Sequence, residues 1–446
     1  MNKTQKTALF SVLAGVGHVN ACIALGQRLL DSGNYRVVFA VNEQWKGKLL
    51  VYGFEEIIAE VDKPDDSDDD DNNKKNSNPA KHFASRLLDT GLFEDKSPVE
   101  VLITVETKIL NKLDPVKHLD KQLETVIQDI KPDVILLDQF YCLPSAELSG
   151  IPLVWIWSAG PLFINDDDRL PPSQSGYSCT SDEKLWQEFR KIKYNLIEEK
   201  WKEWNDYIIS RGCLPLLRDH DLTTQHKWPT IYGFPKELDY TDIVPLRKNY
   251  IPFDNLMRRE VNIEKFEIPE QLRDKPGKLI YFSLGSMGAV NVDNMKRLVA
   301  ILAKSMHRFI VSKGPLGDEY ELPDNMWGQS TVPQVSVLPL VDLVITHGGN
   351  NTTTETFNYG KPMIVLPLFA DQFDNAQRVQ DLGLGIRLNA YKCTDEELLT
   401  AIEKLLNDNE LNEKLQKISQ RIQSDNSLDK FPQIIDNYLK DPSIYL

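Results

Sequence analysis

Short apolar runs alternate with helical patterns along both halves of the chain, and this alternation limits the fold more than any other feature. In the first half we predict strands at residues 7–14, 36–41, 133–137 and 153–157, and helices at 20–31 and 115–130. In the second half we predict strands at 279–283, 308–311, 343–346, 363–366 and 385–388, and helices at 291–305, 352–358, 371–381 and 395–406. Such alternation is typical of parallel sheets covered by helices on both faces. The sequence therefore predicts an α/β protein with two Rossmann-like domains that face each other across a cleft.

The length of the chain, 446 residues, favours two domains over a single core. We expect a first domain over residues 1–245, an interdomain linker rich in proline and charge over 246–278, and a second domain over 279–424. An aromatic and charged stretch at 185–209 predicts one or two amphipathic helices. Residues 425–446 contain a final amphipathic helix that could pack back on the first domain.

The composition is that of a soluble globular protein, with 41% hydrophobic and 26% charged residues. A formal net charge of −15 argues against nucleic-acid binding, which requires a basic face. Much of the acid lies in residues 62–71, within a predicted mobile loop at 62–80. A solvated charge run explains it better than a metal site, because cation sites need carboxylates held in a fixed geometry. The five cysteines include no CxxC pair, which favours reduced thiols in the cytoplasm.

The apolar residues 8–14 follow two lysines, so they suit either a signal peptide or a first buried strand. The strand is favoured because Gly15-Val16-Gly17-His18 follows at once, where a strand-to-helix turn is needed. No run approaches the roughly 20 apolar residues of a membrane helix, so we expect no membrane association. Asn350 and Asn351 each begin an Asn-x-Thr sequon. A glycan there would obstruct a phosphate-binding turn at residues 346–355, which again favours the cytoplasm.

The segment 346–355, Thr-His-Gly-Gly-Asn-Asn-Thr-Thr-Thr-Glu, joins a predicted strand to a predicted helix. Gly348 and Gly349 let the backbone approach a ligand, and the helix start favours an anion. Asn351 and Thr352 add small donors, while Glu355 lies one turn further in, where a carboxylate can bind a ribose diol. The pattern indicates a diphosphate site, and an ordinary capped helix start is the alternative.

His18 and Asp138 each follow a predicted strand at its carboxyl end, where open α/β sheets place functional groups. A histidine there can take a proton from a hydroxyl near neutral pH. Asp138 could bind one ring nitrogen and stabilise the cation, as in hydrolase triads. The alternatives are a histidine that satisfies local backbone groups and an aspartate that caps the next helix.

Three common motifs are broken or absent. No Gly-x-Ser-x-Gly elbow or P-loop occurs, and Asn20 stands where the third glycine of a dinucleotide fingerprint belongs. These observations argue against a triad hydrolase, an NTPase and a dehydrogenase. The turn Gly285-Ser286-Met287-Gly288 instead offers backbone and hydroxyl donors to a phosphate.

Together these residues resemble the family 1 UDP-glycosyltransferases, which have the GT-B fold. The resemblance is most specific over residues 332–375 and extends loosely over almost the whole chain. It is carried by Gly17-His18, Asp138, Val332-Pro333-Gln334, the 347–355 motif and Asp371-Gln372-Phe373-Asp374-Asn375.

The resemblance implies an inverting transfer of a hexose by direct displacement, with His18 as general base and Asp138 as its partner. It implies a UDP-sugar donor, held by Ser286, Val332, Gln334, His347, Gly349, Asn350, Asn351, Thr352, Glu355, Asp371 and Gln372. Within that set, Gln334 would bind uracil, Glu355 ribose, His347, Asn351 and Thr352 the phosphates, and Asp371 with Gln372 the hexose. No metal or other cofactor is expected, because the helix start stabilises the departing UDP.

The acceptor would bind the first domain among Phe83, Phe140, Tyr141 and Phe163. An aromatic pocket suits a small lipophilic molecule with an exposed hydroxyl, and no protein partner is implied. One departure is that Thr331 stands where many relatives have a tryptophan that stacks on uracil; Trp327 lies four residues earlier. The resulting hypothesis is a cytoplasmic enzyme that glucosylates xenobiotics or phenolic natural products. The alternatives are a UDP-sugar epimerase, a lipid-carrier glycosyltransferase and a non-catalytic nucleotide-sugar binder.

Overall fold

Two parallel β-sheets, one in each half of the chain, form the framework of the protein. A computed structural model describes residues 5–59, 86–165, 167–261 and 266–445. The predicted α/β class and the pair of sheet domains are confirmed. The predicted acidic loop at 62–80 and Phe83 lie outside the described residues.

The first sheet has the strand order β3-β2-β1-β4-β5-β6-β7. Its strands are β1 (Lys6–Val12), β2 (Tyr35–Val41), β3 (Glu55–Ile58), β4 (Val134–Asp138), β5 (Leu153–Trp157), β6 (Thr230–Gly233) and β7 (Tyr250–Phe253). The second sheet has the order β10-β9-β8-β11-β12-β13. Its strands are β8 (Leu279–Ser283), β9 (Arg308–Ser312), β10 (Met326–Gln329), β11 (Leu343–Thr346), β12 (Met363–Val365) and β13 (Gly385–Arg387). Because all strands are parallel, each sheet gathers its carboxyl ends at one edge.

Helices connect the strands and cover both faces of each sheet. Those of the first half are α1 (Val16–Asp31), α2 (Pro98–Thr104), α3 (Asp114–Ile130), α4 (Pro144–Glu147) and α5 (Glu183–Arg211). Those of the second half are α6 (Glu270–Arg273), α7 (Gly285–Gly288), α8 (Val292–Leu302), α9 (Gln334–Val337), α10 (Asn350–Asn358), α11 (Asp371–Asp381), α12 (Asp395–Asn407), α13 (Asn409–Ser424) and α14 (Phe431–Lys440). In the described part of the chain, none of the helices has the length and apolar character needed to cross a membrane.

The central strands of the first sheet are mostly apolar, as expected where both faces of a sheet are covered. Leu9 and Phe10 are neighbours on β1 and point to opposite faces, yet both are fully buried. The Phe10 ring stacks on Phe39 of β2 with the ring centroids 4.7 Å apart. This packing fixes the register of β1, and therefore where the turn after β1 emerges.

The chain crosses between the domains twice. It leaves the first sheet only after β7, a strand that lies inside the stretch predicted as linker. It returns through α14, where the Asp436 carboxylate accepts hydrogen bonds from Lys6 Nζ and Tyr35 Oη, each at 2.6 Å. Tyr438 Oη donates to the Leu153 carbonyl at 3.0 Å. The C-terminal helix is thus part of the first domain's structure.

Candidate active site

A cluster of polar residues lies at the carboxyl ends of three neighbouring strands of the first sheet, β1, β4 and β5. His18 lies in the first turn of α1, Asp138 ends β4, and Ser158 directly follows β5. The Nδ1 atom of His18 lies 3.1 Å from Asp138 Oδ2 and 2.6 Å from Ser158 Oγ. Ser158 Oγ donates to Asp138 Oδ2 at 2.8 Å. The predicted pair is therefore in direct contact, and Ser158 completes it.

The surroundings of His18 favour its charged form. Burial lowers the pKa of the ring, but the charge and hydrogen bond of Asp138, with a smaller effect of Asp371, raise it above its ordinary value. Asp138 is only 2% exposed, so little water screens this interaction. No described residue hydrogen-bonds the other ring nitrogen, Nε2. The pair can thus accept a proton at Nε2 and hold the resulting cation.

The glycine-rich motif of the second domain lies against this cluster. Asn351, at the start of α10, donates from Nδ2 to the Gly17 carbonyl at 2.8 Å. Its neighbour Asn350 donates to the carbonyls of Ser158 and Gly233 at 3.2 and 3.0 Å. The structure therefore brings the predicted base and the predicted diphosphate motif to the two sides of one cleft.

His347 lies between two glycine backbones beside the start of α10. A Cβ atom placed on Gly285 would lie 2.8 Å from His347 Nε2, and one placed on Gly349 would lie 2.7 Å away. Only glycine fits so close, and Gly285 also has a left-handed φ of 72°. Burial lowers the pKa of His347 to about 4, so the ring is neutral at physiological pH. Ser286, the next residue of this turn, is exposed.

Gln334 and Glu355, predicted to bind uracil and ribose, are hydrogen-bonded to each other. Gln334 Nε2 donates to Glu355 Oε2 at 2.5 Å and to Thr352 Oγ1 at 3.2 Å. Val332, two residues before Gln334 in the sequence, is buried, whereas Thr331 is exposed. The Trp327 ring packs on Phe266 with centroids 5.7 Å apart, and its strand ends before Thr331.

Asp371 and Gln372 begin α11 but use part of their hydrogen-bonding capacity within the protein. Asp371 Oδ2 accepts from the Gly160 backbone N–H at 2.8 Å, a contact between the two domains. The Gln372 side-chain oxygen accepts from the backbone N–H groups of Leu368 and Phe369 at 3.0 and 3.2 Å. Its amide NH₂ is the part that can still serve a ligand, a restriction that the sequence does not reveal.

The aromatic residues predicted for an acceptor pocket separate into two environments. The Phe140 ring lies edge-on to the His18 ring with centroids 5.6 Å apart, so it adjoins the proposed base. Phe163 packs on Trp157 at 5.6 Å. Tyr141 is instead buried in the core against Trp204, with centroids 5.2 Å apart. Core packing against Trp204 therefore accounts for Tyr141.

Sequence reasoning missed Ser158 and gave no separate role to Asp374. Ser158 carries no motif, although its position just past a strand end, like that of Asp138, could have identified it. Asp374 accepts hydrogen bonds from the backbone N–H groups of Gln174 and Gly176 at 2.6 and 3.0 Å and so links the domains. Burial raises the pKa of Asp374 to about 7.

Within the described residues, no group of three or more His, Cys, Asp or Glu side chains could hold a metal ion.

Part of the chain matches a known family. The model of the "UDP-glucoronosyl and UDP-glucosyl transferase" family matches residues 270–431. The chain is 23% identical to the NDP-glycosyltransferase YjiC of Bacillus subtilis over 434 residues, which cover 96% of each protein. It is 29% identical to human UDP-glucuronosyltransferase 1A1 over 353 residues, covering 74% of this chain and 66% of that protein.

Fungal sterol 3-beta-glucosyltransferases are also similar but much longer. The Komagataella phaffii enzyme is 32% identical over 256 residues, which cover 54% of this chain and 20% of the fungal protein. The chain spans 11% to 20% of the length of the sterol 3-beta-glucosyltransferases that it matches.

Solved structures share the two-domain fold over nearly the full length. The glycosyltransferase of kitacinnamycin has a TM-score of 0.67 at 19% identity and covers 98% of this chain and 99% of its own. CalG4, the calicheamicin glycosyltransferase, has a TM-score of 0.63 at 17% identity with the same coverage.

Proposed function

We propose that this chain, a member of the family 1 glycosyltransferases with the GT-B fold, transfers glucose from UDP-glucose to a hydroxyl of a small lipophilic acceptor, with inversion at the anomeric carbon. Family and fold are established by the similarities above. The donor, the acceptor and the roles of individual residues belong to the proposal.

One observation supports this proposal more than the others. The cluster of His18, Asp138 and Ser158 lies directly across the cleft from the start of α10, and Asn351 bonds to the turn that carries His18. A proton acceptor beside an anion site is the arrangement that a single displacement on a sugar diphosphate requires. An epimerase or a non-catalytic binder has no evident use for a histidine paired with an aspartate at this position of the cleft.

The reaction follows from the two sides of the cleft. Nε2 of His18 takes the proton of the acceptor hydroxyl while its oxygen forms a bond to the anomeric carbon. The bond between that carbon and the distal phosphate oxygen breaks, and UDP leaves with the electron pair. Because attack and departure occur on opposite faces, the configuration inverts. The imidazolium formed is stabilised by Asp138.

Departure of UDP needs stabilisation of negative charge. The first backbone N–H groups of α10 have no partner within the helix, and the positive end of the helix dipole favours an anion there. We assign Asn351, Thr352 and the neutral His347 ring as further donors to the phosphates, with Ser286 nearby. On this account the reaction proceeds without a metal ion, because fixed donors replace it.

The acceptor class rests on Phe140, whose ring borders His18. An apolar wall beside the base suits phenolic xenobiotics or natural products. A second candidate class is 3β-hydroxysterols, since several relatives are sterol 3-beta-glucosyltransferases. We propose a cytoplasmic location, because Asn350 is buried and a glycan on its sequon would break its contacts to Ser158 and Gly233.

The test is a metal-free assay with EDTA. UDP-glucose is incubated with phenols and with sterols, and UDP release, the mass of the glucoside and its anomeric configuration by NMR are measured. We expect UDP release together with a β-configured glucoside that carries one added hexose. An α-glucoside would exclude the single displacement, and UDP-glucose binding without product from either acceptor class would favour a non-catalytic binder.

The pH profile should report the charge state of His18. Only the neutral ring accepts a proton, so kcat/KM is full above the His18 pKa and is lost as pH falls through it. Because Asp138 raises that pKa, we expect the acid limb of the wild type above about pH 6.5. In Asp138→Asn, burial remains while the charge is gone, so the limb should move to lower pH. An unchanged limb in that variant would contradict the pairing.

Gly285→Ala tests the close approach of the glycine turn to His347. The new Cβ would meet the His347 ring in a strained left-handed backbone, and we expect weaker UDP binding and a loss of roughly 1–3 kcal/mol in the free energy of unfolding. Gly383→Ala is the matched control: its φ is 62°, but no atom lies within 4 Å of the new Cβ. It should lose stability from backbone strain alone and keep its UDP affinity, as measured by calorimetry. Equal UDP affinities in the two variants would contradict a role of this turn in donor binding.

A further inference from the structure

The segment that follows β7 places an arginine next to Glu355, a residue of α10 that we assign to the donor site. Residues 254–261 follow the last strand of the first sheet, and Arg258 extends from this segment towards α10. Its side chain is only 17% exposed, unlike that of its neighbour Arg259, which is 55% exposed and pairs with Asp31. Neither the motifs nor the glycosyltransfer step described above uses Arg258.

Arg258 belongs to a chain of charged and polar contacts. Its Nη1 atom lies 3.8 Å from Glu355 Oε1, while Gln334 holds the other carboxylate oxygen, Oε2, at 2.5 Å. Its Nη2 atom lies 3.3 Å from Glu260 Oε1. Glu260 is tied in turn to α9, because its Oε2 accepts from Ser336 Oγ at 3.0 Å. The guanidinium is therefore held in place from both sides, next to the carboxylate assigned to ribose.

Burial disfavours the ionised form of the Glu355 carboxylate, and the Arg258 guanidinium acts against this effect. The Glu355 side chain is 4% exposed, and burial raises the pKa of Glu355, while the positive charge of Arg258 and the hydrogen bond from Gln334 lower it. The charge of Glu260 acts in the opposite direction to that of Arg258. Of the two charged groups in the described part of the chain that act on Glu355, Arg258 favours its ionised form and Glu260 opposes it.

We propose that Arg258 is a positioning residue that makes the donor site selective for a ribonucleotide, because it holds the Glu355 carboxylate ionised and aimed at the 2′- and 3′-hydroxyls of the ribose. This inference rests on the proposed function, since it takes a nucleoside diphosphate as the ligand of α10.

The selectivity follows from hydrogen-bond chemistry. An ionised carboxylate offers two acceptor oxygens and can bind both hydroxyls of a vicinal diol. A protonated carboxyl places a donor where one hydroxyl must donate, so the pair of bonds is lost. A 2′-deoxynucleotide lacks one of the hydroxyls and therefore makes one charge-assisted hydrogen bond fewer to the carboxylate. Discrimination between the two nucleotides therefore depends on the charge of Glu355.

The experiment measures binding of UDP and of 2′-deoxy-UDP to the full chain by titration calorimetry. In the wild type we expect UDP to bind roughly 10- to 100-fold more tightly, the range of a hydrogen bond to a charged group. Arg258→Met, which keeps an apolar stem without the charge, should bring this ratio close to that of Glu355→Gln. Arg258→Lys should restore most of it, because it supplies a cation.

The matched control is Arg259→Ala, which removes the same charge from the adjacent residue and should leave the ratio unchanged. The ratio in Arg258→Met should also recover as pH rises, since Glu355 then ionises without help, and at a higher pH than in the wild type. A merely structural role would not produce that recovery.

Two outcomes would overturn the inference. The first is that Arg258→Met weakens both nucleotides by the same factor, which would place Arg258 at the phosphates or in the framework. The second is that Arg259→Ala lowers the ratio as much, which would indicate a general effect of charge. If the wild type binds no UDP at all, the proposed function fails instead, so the two failures can be told apart. Should Arg258→Met not fold, Arg258→Gln, which also removes the charge, replaces it and must show the same loss of the ratio and its recovery at higher pH.

Discussion

Replacing His18 by alanine is expected to lower kcat roughly 10²- to 10⁴-fold, the contribution of a positioned general base. The loss should appear in kcat with UDP affinity nearly unchanged, because the residues that we propose as donors to UDP belong to the second domain. The folded state should tolerate the change. Ser158 still donates to Asp138 at 2.8 Å, so the buried carboxylate keeps a partner.

The control for this variant is His118→Ala. That histidine lies on α3, where its Nε2 is within 2.7 Å of Gln122 Nε2, and it takes no part in the cleft. Single-turnover measurements with saturating UDP-glucose separate chemistry from product release in both variants. If the His18 variant turned over at the wild-type rate, the general base would have to be another group, and the proposed mechanism would fall.

Phe431→Ala should cost about 3–5 kcal/mol of the free energy of unfolding, as for other large-to-small changes at buried aromatic sites. Phe431 begins α14, is fully buried, and belongs to the same buried cluster as Ile23 and Leu25 of α1. The loss should fall on the first domain although residue 431 follows the second domain in sequence. Tryptophan fluorescence in a urea titration can report this, because seven of the eight tryptophans precede residue 254.

Ile444→Ala provides the comparison. This side chain lies in the same terminal segment but is 46% exposed, so its removal should change stability by less than about 0.5 kcal/mol. Equal, small effects of the two variants would mean that α14 does not pack on the first domain in solution. Loss confined to the Trp327 signal would assign the helix to the second domain instead.

The sequence predicted strands where apolar runs are continuous and missed three of the four edge strands, although it found the edge strand β13. The strands β3, β7 and β10 lie at sheet edges, and they are short and interrupted by polar residues, proline or glycine. In β7 the interruption is Pro252, which an edge strand tolerates because one side needs no backbone donor. The interior strand β6, Thr-Ile-Tyr-Gly, has too few residues for a periodic pattern.

The site was predictable where chemistry follows a strand end or a glycine-rich turn. His18, Asp138 and the 347–355 motif came from position alone, since the carboxyl ends of parallel strands meet at one edge. Ser158 and Arg258 were not predicted, because one serine or one arginine carries no pattern until the partners in space are known. The place of Tyr141 in the core was equally hidden, since it depends on Trp204, which is distant in sequence.

The double crossing of the chain has a consequence for building hybrid enzymes. Grafting the first domain of one relative onto the second domain of another cannot be done with a single splice near residue 254. A splice there would make Phe431 and Tyr438 of one parent pack against the first-domain core of the other parent. A workable chimera therefore needs two junctions, so that the tail after Ser424 comes from the same parent as the front half.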